Sequence, residues 1–353
     1  MTKKYIIKSR ALLALMLLCG AAVISARGAA YIGDYWSDFS ALFYAPYYSA
    51  EKCCCASDSD YITATCYAEN LQYVTRPVFV PVSEEYAARL ADFNYLSRNI
   101  FLADPRTRLL ETDIDVAAFL EKDFTIEITE GPQVLIVHAH SMEMFADSDP
   151  SDPFTGVLGV GRHLAEVLEE QHGLHVLHHT ERFDMVGGLP NRQGSYERLE
   201  PAVRRILADN PSIQVVIDLH RDGVGPHVAP MVTYINGERA AQIMLVNGLS
   251  RRYRNGVITP VQHLPNPYQR ENLAFSFNLQ LAANQMYPGF ARRIYLLEFR
   301  YSLHMAPRSI LLEVGAQNNT FQEALNSVPH IANIIAAVVL EDDSLQTMPN
   351  HVE

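Results

Sequence analysis

The stretch that most constrains the fold is Gln133 to Glu143, QVLIVHAHSME. Val134 to Val137 form a continuous apolar run with the length and β-branched content of a buried strand. That run ends in His138, His140 and Glu143, three groups that packing alone seldom places there. In an α/β sheet, ligands gather outside the carboxyl ends of the strands, so these side chains stand where chemistry is normally done. His140 and Glu143 have His-x-x-Glu spacing, which brings an imidazole nitrogen and a carboxylate oxygen onto one metal ion. A second histidine would complete the His₂Glu set of a catalytic zinc site, with one ion per chain and a fourth position left for water.

Ser212 to His220, SIQVVIDLH, is another buried strand that ends in a histidine. If the two strands are parallel, His220 and His140 point from the same edge of the sheet. Strand alternation puts His138 and His140 on one face. The tighter spacing to Glu143 makes His140 the ligand, with His138 beside it as a support or an alternative ligand. Glu313 lies within RSILLEV, amid Ile310, Leu311, Leu312 and Val314. A carboxylate there carries a large desolvation cost unless it is paired or its pKa rises into the range useful for proton transfer. That makes Glu313 the candidate base; the alternative is an ion pair with Arg300 or Arg308. A second His-x-x-Glu, His163 and Glu166, falls on the polar face of an amphipathic helix and reads as solvated. His172, His175, His178 and His179 read as a surface patch.

The 353 residues carry a formal net charge of −12 and no long basic run, which argues against nucleic acid as a partner. Lys3, Lys4, Lys8 and Arg10 precede an uncharged, mostly apolar run from Ala11 to Ala26. Residues 1–30 therefore read as a single-pass membrane anchor with its positive end in the cytoplasm, or as a cleaved secretory signal. Either places the remainder outside the cytoplasm. Residues 31–94 form an extension rich in tyrosine, and Cys53, Cys54, Cys55 and Cys66 there suit local disulfides better than a metal knuckle.

Residues 95–340 read as the catalytic domain, with the boundary falling between Pro77 and Asp104, and 341–353 as a tail. Apolar runs alternate with amphipathic helical stripes, which gives an α/β fold: a mixed, mostly parallel central sheet with helices on both faces. Phe124 to Ile128 alternates like a half-buried strand, and Phe321 to Leu340 reads as one closing helix. Asn236-Gly237 marks a hairpin.

VLIVHAHSME, VVIDLHRDGV and the long segment from NPYQRENLAF through RSILLEVGAQNNTFQEAL together resemble the stage II sporulation protein P family. The resemblance spans roughly residues 95 to 340. It implies the fold of the N-acetylmuramoyl-L-alanine amidases, phosphorylase/hydrolase-like, and a zinc-dependent amidase acting on peptidoglycan, with endopeptidase activity on cross-links. It also implies septal wall remodelling during engulfment, a cytoplasmic-membrane anchor, and other engulfment proteins as partners. The family's His-Thr-His-Thr-Ser-Glu corresponds to His138 through Glu143, with Met142 in place of the small residue. The histidine of its Asp-x-His-Arg-Asp is His220, and the glutamate of its Glu-Val-Gly is Glu313. Arg221 and Asp222 are retained, and the resemblance implies that they hold ligands or substrate. The same ligand set also serves a zinc carboxypeptidase-like peptidase, and a non-catalytic wall-binding module would keep the fold without needing Glu313.

Overall fold

The computed structural model describes residues 82–341. In chain order, helices α1 (Glu84–Leu90) and α2 (Phe93–Asn99) lead into strand β1 (Phe101–Ala103). Ser83 caps α1 by accepting from the Tyr86 amide, and Asp92 breaks the pattern by capping α2 afresh. Helix α3 (Val116–Glu121), strand β2 (Val134–Val137), helix α4 (Val157–His172) and strand β3 (Val176–His178) follow. A short hairpin, β4 (Met185–Val186) and β5 (Leu189–Pro190), precedes α5 (Ser195–Asp209) and β6 (Val215–Asp222). Next come β7 (Val232–Ile235), β8 (Glu238–Ala241), β9 (Ile243–Gly248), β10 (Arg251–Arg254) and β11 (Val257–Pro260). Helix α6 (Gln269–Met286), strands β12 (Ile294–Leu297) and β13 (Ser309–Ala316), and helices α7 (Phe321–Leu325) and α8 (Val328–Val339) complete the described chain.

Seven strands form one sheet in the order β1-β12-β9-β13-β6-β2-β3. Every neighbouring pair is parallel except β13 with β9, so the sheet is mixed and mostly parallel, in agreement with the sequence pattern. Helices cover both faces. Leu164 and Val167 of α4, Leu273 and Phe277 of α6 and Ile331 and Ile335 of α8 pack on one face, against Val134, Ile136, Ile217 and Leu312. Leu199 and Val203 of α5, with Met305, pack on the other, against Leu135, Val137 and Val216. All four side chains of β2 are fully buried. At about 1.5–3 kcal/mol per buried aliphatic side chain, this strand is a rigid mount for whatever follows it.

Helices α4 and α5, on opposite faces, connect β2 and β6 to the rest of the sheet, so the crevice beyond their carboxyl ends lies at a topological switch point. Two of the three Asn-Gly pairs make hairpin turns: Asn236 and Gly237 join β7 to β8, and Asn255 and Gly256 join β10 to β11, all four with positive φ, while Asn247 and Gly248 end strand β9.

Expectations about elements and location differ from the structure at three points, and the histidine patch is not all at the surface, since His172 is buried and His178 bonds His138. Phe124 to Ile128 is irregular, because its amides find no strand: the Ile126 amide donates instead to the Val339 carbonyl, while Phe124 and Ile126 are still buried. The closing helix breaks after Leu325, and Pro329 sits in the first turn of α8, where a missing N–H is harmless. The membrane location is corrected as well. Among the described residues no helix is long and apolar enough to cross a membrane, and residues 1–30, on which the anchor rested, lie outside the described residues. The four cysteines at 53–55 and 66 also lie outside them.

Candidate metal centre

Strand β2 stops at Val137, and the chain turns through residues 139–142. This ends the strand alternation, so His138 and His140 do not share a face as expected. His138 turns toward α4, its Nδ1 2.9 Å from the Leu219 carbonyl and its Nε2 2.8 Å from Nε2 of His178. Gly161 makes room for that pair, since a Cβ there would lie 2.7 Å from His138 Nε2. Burial holds the His138 imidazole down at about 3 and that of His178 at about 4. With both of its nitrogens engaged, His138 braces the start of the loop and the β6 backbone just before His220.

His140 turns toward α5, its ring 5.3 Å from that of Tyr196 and 5.0 Å from that of His220. It is buried, and its Nδ1 has no hydrogen-bond partner, lying 3.6 Å from Glu143 Oε1. Glu143 Oε2 lies 3.2 Å from His220 Nδ1 and accepts from the Arg221 amide at 3.0 Å. The ligand atoms of His140, Glu143 and His220 all lie within 4.8 Å of one another.

The electrostatics suit a cation. Burial holds the His140 imidazole at about 4, below its ordinary value. Burial opposes ionisation of Glu143, yet His220, His140 and Arg192 outweigh it and keep the carboxyl at about 2. Burial likewise works against a charged His220, but Asp218 and Glu143 hold its pKa well above the usual histidine range. An orphaned imidazole nitrogen aimed at a buried carboxylate and a second histidine fits a divalent metal of the zinc type.

Glu313 lies directly across from His220 in the β6–β13 register. Its Oε2 is buried without a hydrogen-bond partner, and burial pushes its pKa up to about 8. The ion pair that would have made it structural is missing among the described residues: Arg300 bonds Glu200 instead. The strand bulges between Glu313 and Ala316, around Gly315 at φ +61°, where a Cβ would meet Ala241 and Asn319.

Arg221 and Asp222 stand at the rim with their charges largely engaged. The Arg221 guanidinium donates to the Met144 carbonyl at 3.0 Å and to the Asp222 carbonyl at 3.2 Å, and the Asp222 carboxylate pairs with Arg292 at 2.8 Å. His163 and Glu166 form an exposed pair 3.3 Å apart, away from the cluster.

Four neighbours escaped the reading of the sequence. Asp218, fully buried, accepts from His220 Nε2 at 2.8 Å, from Ser302 Oγ at 2.6 Å and from the Ala139 amide at 2.9 Å. Strand alternation could have found it, because residues 218 and 220 share a face. Asp184, Arg192 and Tyr196 carry no such signal. Asp184 accepts from Ser141 Oγ and the Met142 amide, Arg192 reaches Glu143, and Tyr196 walls His140.

The fold and this cluster define an α/β protein with a buried His-Glu-His centre at the carboxyl edge of its sheet. The family model for stage II sporulation protein P (SpoIIP) matches residues 107–336, and the chain belongs to that family. Stage II sporulation protein P of Bacillus subtilis (strain 168) is 24% identical over 221 residues, covering 58% of this chain and 50% of that protein. The chain thus spans about half the length of the curated relative it matches. Among solved structures, the N-acetylmuramoyl-L-alanine amidase AmiC2 of Nostoc punctiforme is similar at 17% identity over 60% of this chain and 96% of that one, with a TM-score of 0.33. The CwlD amidase from Clostridioides difficile, in complex with the GerS lipoprotein, is similar at 14% identity over 59% and 95%, with a TM-score of 0.36.

Proposed function

We propose that this chain is a zinc-dependent peptidoglycan hydrolase that cleaves the amide between N-acetylmuramic acid and L-alanine, in wall remodelling during sporulation. Family membership supports the substrate class. The observation that carries the chemistry is the unpartnered Nδ1 of buried His140, set against Glu143 and His220.

His140, Glu143 and His220 would hold the ion. When bound, zinc supplies Lewis acidity that polarises the scissile carbonyl and acidifies water. Asp218 fixes His220 with its Nδ1 turned to the cluster by accepting at Nε2. Glu313 takes the proton from the attacking water and returns it to the leaving amine, and neighbouring positive charge brings its raised pKa back toward neutrality. Tyr196 shields His140 from bulk water on the α5 side. A wall-binding module without catalysis gives no reason for a half-buried Glu313 whose buried Oε2 has no partner.

Digestion of purified sacculi with the zinc-loaded chain is expected to release stem peptides with a free L-alanine amino terminus and to leave bare glycan strands. New termini found only within the stem peptides would replace the amidase with a peptidase, for which the same ligands serve.

Asp218→Asn is expected to weaken zinc binding by roughly 10–100-fold, as is typical for the partner of a ligating histidine. Competition with a chromophoric chelator measures this. Unchanged affinity would reduce Asp218 to a packing role.

A further inference from the structure

Arg192 belongs to no motif, yet it touches the centre. Its Nη2 lies 2.8 Å from Glu143 Oε1, while its side chain is 63% exposed. Nε and Nη1 make no hydrogen bond among the described residues, so most of the guanidinium fork faces solvent at the mouth of the site. The neighbouring arginines are turned elsewhere, and the nitrogens they leave without a partner, Nε and Nη2 of Arg292 and Nε of Arg182, are buried. Arg221 donates to the Met144 and Asp222 carbonyls, Arg292 pairs with Asp222, and Arg182 contacts the Met142 sulfur.

The loop that carries Arg192 is built to hold it there. Arg198 of α5 donates from Nε to the Phe183 carbonyl at 2.6 Å, from Nη2 to that of Asn191 at 2.6 Å and from Nη1 to that of Gln193 at 3.0 Å. The Asn191 amide donates to the Asp184 carbonyl at 2.7 Å, closing the base of the β4–β5 hairpin. The Asp184 carboxylate, itself buried, ties the same loop to Ser141 and Met142. Residues 183–193 and the metal-binding loop are therefore one hydrogen-bonded unit, and Arg192 is its exposed cation.

We propose that Arg192 captures a carboxylate of the substrate peptide beside the scissile amide, an inference that rests on the stem peptide being the substrate. With a cation on Glu143, that carboxylate's charge is already satisfied, and the guanidinium is left to attract an anion. Nη2 carries a second proton beyond the one turned to Glu143, and with Nη1–H or Nε–H beside it that proton forms the two-pronged edge that meets a carboxylate bidentately. The chain as a whole carries a net charge of −12, so attraction of an anion to this mouth falls to the exposed guanidinium.

The test is binding of a fluorescent stem peptide, with its carboxylates either free or amidated, to the zinc-loaded full chain and to Arg192→Ala and Arg192→Lys. The wild type is expected to prefer the free acid by about tenfold or more, the value of a charge-assisted pair. Arg192→Ala should lose that preference, with zinc content and affinity for the amidated peptide unchanged, and Arg192→Lys should keep part of it. The idea is overturned if the wild type does not discriminate, if Arg192→Ala still does, or if Arg192→Ala loses zinc, which would make Arg192 a prop for Glu143. Peptide binding does not depend on which amide is cut, so failure of the amidase reading in the sacculus digest is a separate result.

Discussion

Glu313→Gln is expected to keep the zinc and the fold while lowering turnover by roughly 10²-fold or more, the usual cost of removing a general base. Glutamine matches glutamate in size, so the packing beside Met244 and His220 in the neighbouring strands is preserved. Folding supplies an independent check in metal-free protein. The native pKa of Glu313, about 8, lies above the ordinary carboxylate value of 4.5. Between those two values the native state binds the extra proton, so this residue's contribution to stability falls as pH rises from about 4.5 through 8. Glutamine removes that fall, and Glu313→Gln should melt no lower than the wild type at pH 9. Zinc content measured beside turnover decides the role: loss of metal as complete as in a ligand variant would make Glu313 a ligand and leave the base elsewhere.

His140→Ala and His220→Ala are each expected to reduce bound zinc to background after dialysis, and to abolish hydrolysis with it. Three protein ligands are the minimum for a tight catalytic site, and removing one leaves a carboxylate and a single imidazole. The two variants should differ in stability without metal. Removing His220 leaves Asp218 and Glu143 buried and facing each other's charge without the cation between them, at a cost of several kcal/mol typical of a broken buried pair. Removing His140 deletes an imidazole whose Nδ1 had no partner, and should cost less. The same geometry sets a pH dependence. Metal-free His220 is held above the ordinary histidine range and so carries a proton at neutral pH, which the metal must displace from Nδ1. Zinc affinity should therefore rise with pH through neutrality, and proton release on binding is measurable by calorimetry in buffers of different ionisation enthalpy. Stoichiometric zinc retained by the double variant would remove this site from consideration.

The sequence by itself determined the sheet and the chemical cast. Long β-branched runs at Val134, Val215 and Ser309 have no stable place but a sheet buried on both faces, and charged groups at their ends are too costly to bury without a purpose. His140, Glu143, His220 and Glu313 were legible for that reason, because strand period and His-x-x-Glu spacing are local properties of the chain. The parting of His138 from His140 to different faces was not local. It turns on where β2 stops, and that is set by the turn that Asp184 holds through Ser141 and Met142, 42 to 43 residues away in sequence. The antiparallel step between β13 and β9 is likewise invisible in a single strand's pattern, which is the same for either direction. Arg192 and Tyr196 meet the site only because the α5 side of the sheet folds over it; an exposed arginine and a helical tyrosine have no sequence signature, since what gives them a role is the group opposite.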